Sequence, residues 1–74
     1  MTEESRETAA AELESAADEL ERAVAHLRVA ATHFREAEIP RACAHTFAAE
    51  GHMIEACRHV EHRAVVHRTK SRVD

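Results

Sequence analysis

The chain has 74 residues, with ten Lys and Arg against fourteen Asp and Glu and a formal net charge of −4. That length makes one domain, residues 1–74, near the lower limit for a self-sufficient core. The acidic balance and the absence of Trp and Tyr argue against nucleic acid as a partner, and no apolar run approaches the ~20 residues that span a bilayer.

The apolar fraction of 45% overstates the core, because sixteen of those residues are alanine. A chain so short of bulky side chains needs a disulfide, a metal or a partner chain, and a homodimer is the expectation. The opening MTEESRET is acidic and polar, without the pattern of a secretory or transit signal. Two cysteines without a framework suit a reducing compartment, so a cytoplasmic location is expected.

Helix 1 is expected over about residues 4–37. Leu13, Leu20, Leu27 and Phe34 recur every seven residues, and Ala10, Ala17, Val24 and Ala31 stand three before each. That is an a/d heptad pattern over four repeats. Ala9, Ala16, Ala23 and Ala30 fill the neighbouring g position and permit close helix approach. Thr2 or Ser5 can cap the start, and early glutamates suit the positive end of the helix dipole.

The break falls in EAEIPRA. Pro40 fits the first turn of a new helix, and it should push Ile39 toward an extended conformation. Helix 2 then runs over about 40–69. Two helices of matched length on a short connection predict an all-α antiparallel hairpin, pairing with a second copy into a four-helix bundle. The Leu13/Leu20 seam is expected to meet the Phe47/Met53/Ile54 side. Charge supports the reversal: residues 1–21 carry eight acids and one arginine, while residues 58–74 carry five Lys and Arg and two acids. Folding back sets Glu12 and Glu14 near Arg63 and Arg68.

A three-helix arrangement is the alternative. Phe47, Gly51, Met53 and Ala56 have a spacing that resembles the inter-helix turn of a tetratricopeptide repeat, which implies separate helices over 40–50 and 52–69 with a break at Gly51. The resemblance covers one copy, and Arg63 stands where the family has alanine. No Ser, Thr, Asp or Asn caps a helix beginning at His52, so the continuous helix is preferred.

The stretch CAHTFAAEGHMIEACRHVEH, residues 43–62, holds the candidate chemistry. Glu55, His59 and His62 follow i, i+4, i+7 spacing, with His52 one turn earlier. Together His52, Glu55, His59 and His62 are the candidate metal ligands, of zinc or copper type. A helical wheel places the histidines on a boundary stripe. His26 and His33 point away from the leucine seam and are not expected to converge with them inside one hairpin. Cys43 and Cys57, ~21 Å apart on one helix, could meet only across chains. Glu50 falls inside an apolar arc and needs a partner, for which Arg28 is at the right level.

No elbow serine, phosphate loop or paired-carboxylate signature is present, so no catalytic residue or cofactor is assigned and the protein is read as non-enzymatic. The functional expectation is a small cytosolic protein acting through protein–protein association, as an adaptor, regulator or accessory subunit. Leu13, Leu20, Leu27 and Phe34 with Phe47, Met53, Ile54 and Val60 would carry that association. A metal-binding bundle is the alternative.

Overall fold

A computed structural model describes residues 1–68 as two helices, α1 (Glu3–Arg35) and α2 (Ile39–Arg68), packed along their lengths as an antiparallel hairpin. The expected end of helix 2 at Thr69, and the rest of the basic C-terminal stretch, lie outside the described residues. Thr2 caps α1: its hydroxyl accepts from the Ser5 amide at 3.0 Å, satisfying a donor that the first helical turn leaves free. Glu3 and Glu4 follow in the first turn, and His33 and Arg35 close the last, both in the sense the helix dipole favours.

Only three residues, Glu36 to Glu38, separate the helices. The Ala37 amide donates to Phe34 O at 3.1 Å and the Glu38 amide to His33 O at 2.8 Å. With Ala37 at φ 60°, these bonds form a Schellman closure. α2 begins one residue earlier than the proline rule suggests. Glu38 O accepts from the Ala42 amide at 3.0 Å, so Ile39 is helical, not extended, and Pro40 sits second in the helix. There its missing N–H costs nothing, because the first amides of a helix have no intrahelical acceptor.

α2 is continuous through Gly51, which has no positive φ and is exposed. The three-helix alternative is therefore excluded. The stretch from Phe47 to Ala56 keeps its helical hydrogen bonding, and one glycine costs too little to break it.

The contact between helices also differs from the expected one. The buried residues are Ala16, Ala23 and Ala30 of α1 and Ala42, Ala49 and Ala56 of α2. The helices close on the small g column, where methyl groups allow near approach, and the leucine column is left outside. Leu13, Leu20, Leu27 and Phe34 retain 43–50% of their exposure, and Phe47 retains 71%. The molecule measures 56 × 24 × 13 Å, one helix thick.

The sole glycine and Ala37 occupy each other's preferred settings. A Cβ built on Gly51 meets nothing within 4 Å, so Gly51→Ala should stabilise by about 1 kcal/mol. Ala37→Gly removes a Cβ from the left-handed region and should gain on the order of 1 kcal/mol. Thermal unfolding followed by far-UV circular dichroism should show both variants melting above the parent.

Candidate interaction face and the histidine column

Beside the alanines, a second heptad column lines the seam. On α1 it comprises Glu12, Glu19, His26 and His33; on α2 it comprises Glu38, His45, His52 and His59. All are half-buried. Antiparallel packing interleaves them into a continuous polar ladder. His33 stacks on His45 with ring centroids 5.5 Å apart, His45 lies 5.1 Å from His26, and His26 stacks on His52 at 5.4 Å. The His26 and His45 Nδ1 atoms are 2.9 Å apart, a contact that needs one ring as N–H donor and the other as acceptor.

Carboxylates terminate this block. His52 Nδ1 donates to Glu19 at 2.5 Å, and His33 Nδ1 lies 3.1 Å from Glu38 Oε2. Toward the open end, Glu12 accepts from His62 at 2.8 Å and from His59 at 3.5 Å, and pairs with Arg63 at 3.5 Å. The expected attraction between the acidic start and the basic end of the chain is thus realised by Glu12 and Arg63.

Glu12 and Glu19, the glutamates that α1 contributes to the column, are held below the ordinary carboxyl value of 4.5. For Glu12 the largest cause is the His62 hydrogen bond, with His59 and Arg63 adding to it against some desolvation. For Glu19 it is the His52 hydrogen bond, helped by the charges of His52, Arg22 and His59.

The sequence-derived metal set is not brought together. His52 is bonded to Glu19, His59 and His62 to Glu12, and Glu55 to Arg58 at 3.1 Å. Each ligand has been taken by the nearest carboxylate or guanidinium. His26 and His33, expected to point elsewhere, lie in the seam beside His45 and His52, because the seam runs along the alanines and not the leucines. Nor are Arg28 and Glu50 a buried pair. Both are exposed on this chain, and no ion pair joins them among the described residues. Cys43 is half-buried and Cys57 exposed, both free.

Among the described residues, the set that does converge lies outside residues 43–62, in HFREAE at residues 33–38. His33, Glu36 and Glu38 offer ligand atoms all within 4.8 Å of one another. They straddle the chain reversal, where the left-handed Ala37 draws Glu38 back over His33, and no residue type in the turn signals it.

The two broad faces of the hairpin differ. Helical periodicity puts Leu13, Leu20, Leu27 and Phe34 of α1 on the same side as Ile39, Met53 and Val60 of α2. Leu20, Ala56, Cys57 and Val60 line a shallow groove between the helices there, with Glu61 at its rim. The reverse face carries Ser15, Arg22, Arg41, Glu55 and His62, with Val29 among them. Phe47 and Ile54 lie nearly opposite the seam on α2, so the apolar surface of α2 wraps further round than that of α1. They do not meet the leucine column within the hairpin, as the sequence had suggested.

Comparison of the chain with protein-family models, with curated proteins and with solved structures returns no match. Among the described residues no helix is long and apolar enough to cross a membrane.

The lowered glutamates set an acid limit. Each binds its proton less readily in the hairpin than in the unfolded chain, so unfolding takes up protons as the pH falls. Their stabilisation is complete above about pH 4.5 and is lost as the pH drops through the lowered values. Melting temperatures measured from pH 6 to pH 3 should fall, and the double variant Glu12→Gln/Glu19→Gln should show a flatter acid limb.

Proposed function

We propose that the protein acts through protein–protein association, as a cytosolic adaptor, regulator or accessory subunit. In this reading two hairpins pair by their apolar faces into a homodimeric four-helix bundle. The observation that carries it is the continuous exposed face of Leu13, Leu20, Leu27, Phe34, Ile39, Met53 and Val60 on a hairpin with a single layer of helices. Stable domains bury such a face against a second layer.

Surface area supports a second copy as the occupant. The chain exposes 5776 Å², whereas a compact monomer of its 8.3 kDa would expose about 4,600 Å². The excess, roughly 1,200 Å², exceeds the ~800 Å² per partner of a standard-sized interface. Within one hairpin the seam buries chiefly methyl groups, each contributing about 0.8 kcal/mol. Burying one leucine of the outer face contributes two to three times as much, and a two-fold dimer counts each twice.

Sedimentation at micromolar concentration should return twice the chain mass. Leu20→Glu or Val60→Glu should weaken association by at least about 30-fold, some 2 kcal/mol, whereas Arg22→Gln on the reverse face should leave it unchanged. A compact monomer that melts cooperatively with these side chains exposed would defeat the reading.

A further inference from the structure

We propose that the chain reversal is a binding site for a divalent first-row transition cation of the zinc class, held by His33, Glu36 and Glu38. The proposal does not depend on dimerisation, because all three ligands come from one chain.

Four observations bear on it. The three side chains offer one nitrogen and two carboxylate oxygens within 4.8 Å of one another. Ligands in a tetrahedral zinc shell with bonds of about 2 Å are roughly 3.3 Å apart, so modest rotations of two flexible glutamates close the set.

The second observation is His33 Nδ1 itself. It is buried and makes no hydrogen bond, although Glu38 Oε2 is only 3.1 Å away. A buried imidazole nitrogen without a partner is costly, and the misaligned carboxylate beside it does not remove that cost. A cation between the two would satisfy both.

Third, the backbone already fixes the geometry. The Glu38 amide bonds back to His33 O at 2.8 Å, drawing residue 38 over residue 33, and Ala37 takes a left-handed conformation that folds Glu36 and Glu38 to the same end of α1. The His45 ring, stacked on His33 with centroids 5.5 Å apart, limits rotation of the imidazole.

Last, a resident counter-charge marks where positive charge is accepted. Arg41 Nη1 lies 3.4 Å from Glu38 Oε2, but its side chain is 72% exposed and free to swing into solvent. One imidazole and two carboxylates favour zinc and its neighbours over calcium or magnesium, which prefer all-oxygen shells. Three protein ligands leave a fourth position for water or for a ligand from another molecule.

The test is zinc titration of the untagged full-length chain by calorimetry, with Glu36→Gln, His33→Gln and the control His59→Gln. The expected result is one zinc per chain and a rise in melting temperature. Glu36→Gln should weaken binding at least about 10-fold, His33→Gln should abolish it, and His59→Gln should leave it unchanged. Glu36 is exposed, so its variant keeps the fold and separates ligand loss from unfolding, with helicity checked by circular dichroism. No zinc bound at 100-fold excess overturns the site. So does binding that survives Glu36→Gln and His33→Gln, which would move the metal to other histidines.

Discussion

The fold depends on how near two helices can come when the residues between them are alanines. Ala16, Ala23 and Ala30 meet Ala42, Ala49 and Ala56, and among the described residues nothing larger than a methyl group is fully enclosed. At such a distance the neighbouring heptad column cannot avoid the opposite helix, and that column is made of histidines and glutamates. The chain meets the constraint by pairing them: imidazole on imidazole in the middle, carboxylate on imidazole toward the ends. Polar groups this close to a helix–helix contact are costly unless partnered, and the buried Nδ1 of His33 is the atom of the column left without a hydrogen bond. The ladder is thus a consequence of the alanines, and the outward turn of the leucines is another.

This arrangement inverts the usual division of labour in a small helical protein. The interior of the hairpin is alanine flanked by a half-buried polar column, and the bulky apolar side chains lie outside it. Such a sheet of two helices with one oily face has no second layer of its own. In the dimer we propose, the wider apolar arc of α2, reaching Phe47 and Ile54 behind Met53 and Val60, would suit α2 to a central position. α1, whose outer side carries Glu14, Glu21, Arg28 and Arg35, would suit the rim.

Much of the architecture was legible in the residues. Four heptads, one proline and an acid-to-base gradient are enough to give two helices and an antiparallel reversal, and the gradient led directly to Glu12 and Arg63. The seam was not legible, because three adjacent columns of α1 were all apolar or small. Periodicity says which residues share a side, but it does not say which side is pressed against the neighbour. With the seam on the alanines and not the leucines, Arg28 and Glu50 fall outside the contact, while His26 and His33 fall within it. The turn cluster escaped for a different reason. His33 and Glu38 are brought together by a left-handed alanine where glycine is usual, and nothing in the composition of EAEIP announces it.

The three-residue reversal has one more effect. A stripe of alanines repeating every seventh residue on both helices has no unique translational fit, since sliding one helix by a heptad restores the same methyl-to-methyl packing. Within the chain the slide is forbidden by a tether too short to allow it, so the Schellman closure sets the vertical alignment that the stripe alone leaves degenerate. Two separate hairpins share no such tether. Their alignment would have to be read from the outer surface, where the succession of Phe34, Leu27 and Leu20 beside Ile39, Thr46, Met53 and Val60 gives each level a different shape.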